Sequence, residues 1–68
     1  MTRVAGVYLW KGDECVDLFT DYGGLNVYVD FEDKCVIVYD CLDDGENGTV
    51  AEWHNLAMYN LAVFVNKD

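Results

Sequence analysis

The sequence predicts an α+β fold: a three- or four-stranded antiparallel β-sheet, arranged as a meander, with one C-terminal α-helix packed on one face. Three observations predict it. The first forty residues contain short runs rich in Val, Tyr, Phe and Trp, separated by breaks carrying Gly and Asp. Within them Leu25–Phe31 (LNVYVDF) alternates cleanly between apolar and polar positions. From residue 49 onward apolar side chains recur at helical spacing behind a capping-box pattern. At 68 residues the chain has room for one domain, 1–68, and no second.

In chain order, Val4–Trp10 is a β-type run closed by the turn chemistry of Lys11-Gly12-Asp13. Cys15–Thr20 (CVDLFT) is a weaker strand candidate that also suits a helical turn, and Tyr22-Gly23-Gly24 breaks the chain after it. Leu25–Phe31 places Leu25, Val27, Val29 and Phe31 on one face and Asn26, Tyr28 and Asp30 on the other. Cys35–Asp40 (CVIVYD) is the second arm of a hairpin turning at Glu32-Asp33-Lys34. A three-residue loop pairs Phe31 with Cys35 and Val29 with Ile37, and leaves Val36, Val38 and Asp40 on the face of Asp30 and Tyr28. A two-residue loop slips that pairing and turns Val36 and Val38 inward. Sequence leaves both registers open.

The stretch 39–53, YDCLDDGENGTVAEW, follows with four carboxylates, Asp40, Asp43, Asp44 and Glu46. Thr49-Val50-Ala51-Glu52 then reads as a capping box with its N-cap at Thr49. Trp53, Leu56, Ala57, Asn60, Leu61 and Phe64 form the helical stripe, apolar except at Asn60. The alternative ending is a shorter helix followed by a strand over Leu61–Val65.

Composition narrows the classes. The chain is 53% hydrophobic and 15% aromatic, too rich to be read as disordered. A domain this small buries only about 60% of its unfolded surface, and its core supplies roughly 3–5 kcal/mol of net stability. Thirteen Asp and Glu against four Lys and Arg give a net charge of −9. That charge repels nucleic acid and anionic membranes and attracts a basic partner or a cation. Cys15, Cys35 and Cys41 form no C-x-x-C, and with His54 they assemble no zinc quartet. No run approaches a membrane span, and the amino terminus lacks a secretory pattern, so a reduced, cytoplasmic protein is expected.

Catalytic and metal chemistry find little support. With Gly45 at the sixth position of an EF-hand loop, Asp40 and Asp44 fall correctly, but Leu42 and Ala51 occupy ligand positions and a strand precedes the loop. Any cysteine with His54 supplies a nucleophile and a base by type alone, without a local motif. No metal, cofactor or enzymatic activity is expected. Trp53, Phe64 and Phe31 read as core. Tyr28 shares a strand face with Asp30, a pairing that suits ion-pair and cation–π contact with Arg or Lys.

The acidic surface is the strongest signal. Asp17, Asp30, Glu32, Asp33, Asp40, Asp43, Asp44 and Glu46 are candidates to cluster on one flank of the meander. Alternate strand residues lie about 6.6 Å apart, and phosphates along one DNA strand about 3.4 Å apart. A row of strand carboxylates therefore matches every second phosphate. In length, charge, acidic strands and compact layout the chain resembles the small acidic proteins that phages and other mobile elements use against host defence, including anti-CRISPR proteins and other DNA-mimic inhibitors. The resemblance implies a non-enzymatic inhibitor that occupies the basic nucleic-acid-binding surface of a host protein or CRISPR-type effector complex. Asp30, Asp40, Asp43, Asp44, Glu46, Glu32 and Asp33 would supply charge, and Tyr28 an anchor. The alternative is a small assembly protein, a homodimer formed through the mixed sheet face or an edge strand.

Overall fold

The computed structural model describes residues 1–20, 25–40 and 49–66. Seven strands and one 3-10 turn follow in order: β1 (Thr2–Val4), β2 (Gly6–Lys11), β3 (Glu14–Phe19), β4 (Leu25–Asp30), β5 (Cys35–Asp40), β6 (Thr49–Asn55), the turn Leu56–Met58, and β7 (Leu61–Val65). They form two antiparallel sheets, one ordered β1-β4-β5-β6 and the other β3-β2-β7. The chain crosses between them at Ala5, which separates β1 from β2. Ala5 donates its N–H to the Val65 carbonyl at 2.9 Å and accepts from the Thr20 N–H at 2.8 Å, so the corner leaves neither backbone group unpaired.

The core lies between the sheets. Val7 and Leu9 of β2, Val27 and Val29 of β4, and Val36 and Val38 of β5 are all fully enclosed, joined by Val4 and Leu18. These are the alternate, mostly β-branched positions that a pleated strand turns to one side. Enclosing each such side chain stabilises the fold by roughly 1.5–3 kcal/mol. Leu56, Tyr59, Ala62 and Phe64 pack against this core from the last third of the chain.

The α+β reading is overturned, and with it both the single three- or four-stranded meander and the C-terminal α-helix. The strands divide into two sheets, and the Val4–Trp10 run is broken at Ala5, with Val4 in one sheet and Gly6–Lys11 in the other. Thr49–Asn55, expected to open the helix, is an edge strand paired with β5, and only Leu56–Met58 turns, as 3-10. Thr49, Val50, Trp53, His54 and Asn55 are poor helix formers, and extended they continue the ladder of β5. Thr49 and Glu52, which have capping-box spacing, instead stand opposite Asp40 and Val38. Asn60 then commits the following residues to a strand. Its N–H donates to the Trp10 carbonyl at 2.7 Å, and its Oδ1 accepts from the Gly12 N–H at 2.7 Å. Leu61–Val65 is thereby laid beside β2 as the strand of the alternative ending.

The β4–β5 hairpin takes neither expected loop. Asp30 pairs with Cys35, Val29 with Val36 and Val27 with Val38, which leaves the loop 31–34. Val36 and Val38 therefore face the core between the sheets, and Cys35, Ile37 and Tyr39 join Asp30, Tyr28 and Asn26 on the opposite face of the hairpin, where Asn26, Tyr28 and Cys35 are nonetheless buried. Lys34 closes the loop at φ 55°, in the left-handed region. Gly12 adopts φ 62° in the two-residue turn between β2 and β3, the conformation glycine accepts without a side-chain clash.

Candidate partner-binding surface

Asp30 ends β4 with its carboxylate bent over the following turn. Its Oδ1 accepts from the Glu32 N–H at 3.1 Å and the Asp33 N–H at 3.0 Å, an Asx-type closure. The Asp33 N–H is the main reason its carboxyl sits below the usual range; the Glu32 N–H and the chain's amino terminus add to this, against an opposing desolvation. Glu32 and Asp33 point into solvent from the same turn. These three carboxylates come together, within four residues.

Asp40 does not join them. It is exposed at the far end of β5, opposite Leu25, about 17 Å along the hairpin from Asp30 by strand rise. Alternation also sets it on the side of Val36 and Val38, whereas Asp30 shares the side of Tyr28. Asp17 lies on the other sheet, opposite Tyr8, with Asp13 and Glu14 at the nearby turn. Asp43, Asp44, Glu46 and Cys41 lie outside the described residues. The expected row of strand carboxylates at every second phosphate is thus absent among the described residues, where charge gathers at turns and strand ends. No described carboxylate forms a salt bridge with Lys or Arg; Glu52 contacts His54 instead.

Tyr28 is buried rather than projecting, with its ring edge-on to Tyr39 at a centroid distance of 5.6 Å. Beside it Arg3 donates to the Asn26 side chain. Trp53 and Phe31, read as core, are both 57% exposed, whereas Phe64 is half-buried and packs edge-on against Phe31. Sequence reasoning missed a second feature, the outer face of the β3-β2-β7 sheet. There Trp10, Leu61, Val63 and Val65 are exposed around the half-buried Tyr8, Cys15 and Phe19. The signal was available: Leu61–Val65 (LAVFV) is a continuous apolar run, which a sheet must either cover on both sides or expose on one.

Among the described residues, neither Cys15 nor Cys35 is hydrogen-bonded to His54. His54 Nδ1 lies 2.9 Å from the Tyr59 hydroxyl and Nε2 lies 3.1 Å from Glu52 Oε1. Both ring nitrogens are therefore engaged, neither by a thiol: the Tyr59 contact ties β6 to the chain beyond the 3-10 turn, and the Glu52 contact lies within β6. Desolvation, and then the Asp17 carboxylate, push the Cys15 thiol up, which lowers its thiolate fraction. Cys35 is free and buried. Among the described residues no group of three or more His, Cys, Asp or Glu side chains is placed to hold a metal ion, and no helix is long and apolar enough to cross a membrane. No family model, curated protein or solved structure matches this chain.

Proposed function

We propose that this protein is a non-enzymatic inhibitor of the DNA-mimic type, which docks on the basic nucleic-acid-binding surface of a host protein or effector complex and competes with DNA or RNA. The observation that carries this reading is the unneutralised charge: a net −9, with no Lys or Arg salt bridge on any described carboxylate. Carboxylates left free on rigid turns present a field to a partner instead of spending it internally. The Asp30–Asp33 turn, stiffened by its own hydrogen bonds, is the best-formed part of that surface. Asp40 leads into a second acidic segment with Asp43, Asp44 and Glu46. Mimicry in this form relies on acidic turns rather than on a phosphate-like row along a strand. A host's cytoplasm is where such a target would be met.

The test is a tagged pull-down from nuclease-treated host lysate at low and high salt, read by mass spectrometry. One parallel bait carries Asp40, Asp43, Asp44 and Glu46 changed to Asn or Gln, and a second carries Glu32→Gln with Asp33→Asn. Recovery of a nucleic-acid-binding protein at low salt, lost at high salt and lost from either neutralised bait, is the expected result. Equal recovery by all baits, or recovery of none, removes the reading.

A further inference from the structure

The two sheets have four edge strands, and three of them are blunted against pairing with another chain. β1 is three residues long and carries Arg3. β6 carries Glu52 and a bulge that sets Ala51 out of register. β3 carries Glu14 and Asp17. Short length, charge and bulges are the ordinary protections of an open edge. β7 has none of them: Leu61–Val65 is uncharged and in regular register with β2. It ends its sheet, with Leu61 and Val63 facing out at 55% and 42% exposure. Among the described residues no backbone hydrogen bond reaches its outer edge.

We propose that β7 is the contact of a homodimer, in which the β7 strands of two copies pair antiparallel about a twofold axis at Val63 and join two three-stranded sheets into one of six. A second copy is the occupant because this strand is its own complement. Centred on Val63, the pairing sets Leu61 opposite Val65 of the partner subunit and Ala62 opposite Phe64 of the partner subunit. Every cross-strand pair is then apolar, as an isologous interface requires. A basic partner drawn by the carboxylates has no charge to meet on β7. Face-to-face packing of the outer faces is disfavoured by Asp17, which would be buried there without a counter-charge. Edge pairing leaves Asp17 two strand spacings from the new ladder, roughly 10 Å, and in water.

Two features set the strength. A five-residue edge falls well short of the roughly 800 Å² per partner of a standard stable interface. Two chains of charge −9 also repel. The dimer is therefore weak, with a dissociation constant on the order of 0.1 mM, and it tightens with added salt as the repulsion is screened. Docking on a basic partner has the opposite salt dependence, so this inference stands or falls separately from the inhibitor reading.

Sedimentation velocity of the whole chain from about 10 µM to about 1 mM, at low and high salt, is the experiment. The expected result is a concentration-dependent shift from monomer to dimer that grows with salt. Val63→Lys, a solvent-facing change that sets two ammonium groups against each other at the axis, is expected to abolish the shift with an unchanged far-UV circular dichroism spectrum. Amide hydrogen exchange on the unmodified protein supplies a second readout, with β7 amides becoming protected as concentration rises. A monomer at every concentration and salt, a dimer undiminished in folded Val63→Lys, or association without protection at β7 overturns the proposal.

Discussion

Asp30 shows how one side chain carries both a structural and a surface duty. Its carboxylate accepts two turn N–H groups, which hold its pKa down, so its stabilising effect is present above the carboxyl's unfolded pKa and lost as pH falls through the depressed folded one. Asp30→Asn is accordingly expected to melt below wild type at pH 7, with the gap closing in acid, as followed by thermal denaturation across pH. The sequence identified Asp30 as a surface charge and overlooked its role in the turn, although Asp followed by two turn residues is a known closure. Gly6 is the other residue with a sharp requirement. A Cβ there would come within 2.3 Å of two Phe19 ring carbons, because that ring covers the glycine across the β2–β3 ladder and also meets Tyr8 edge-on. Gly6→Ala is expected to cost about 1–3 kcal/mol in urea unfolding. Combining it with Phe19→Leu should recover part of that loss, a coupling visible only in the double-mutant cycle.

At the scale of elements, the runs that form β2 to β5 are legible because their alternation is local, whereas β1 and the break at Ala5 are not, and the last third reads first as a helix, with the Leu61–Val65 strand only as the alternative. Residues 49–64 carry apolar groups that satisfy a helical template and, differently divided, two strands. What separates the readings is a distant hydrogen-bond partner: Asn60 clamps Trp10 and Gly12, nearly fifty residues earlier in the chain. Asn60→Ala removes the side-chain half of that clamp. It is expected to cost about 1 kcal/mol, a fall of about 4–8 °C in a domain this size, with faster amide exchange at the start of β7. The β4–β5 hairpin carries the same lesson in its register. A loop at 31–34 instead of a three-residue loop exchanges the faces of Val36, Val38 and Asp40, and so separates Asp40 from Asp30.

At the scale of the whole molecule, a small core opposes a large uniform charge. Leu9 is fully enclosed, and Leu9→Ala is expected to cost about 2–5 kcal/mol, comparable to the roughly 3–5 kcal/mol such a core supplies. The variant should therefore lose cooperative unfolding at room temperature. With the described carboxylates unpaired by Lys or Arg, added sodium chloride is expected to raise the melting temperature of the wild type by screening self-repulsion. A flat salt response in differential scanning calorimetry would show that the charges are too dispersed to oppose folding.

Composition and alternation are properties of neighbouring residues, and through them the sequence by itself determined the net acidic charge, the runs that form β2 to β5, and the turn at Gly12. Tertiary structure alone decided the hairpin register, the extended path of residues 49–55, the burial of Tyr28 and the open edge of β7. Each of these depends on which strand lies alongside. A pleated strand changes its buried face with a one-residue slip, and a short apolar run becomes helix or strand according to the partner that satisfies its backbone.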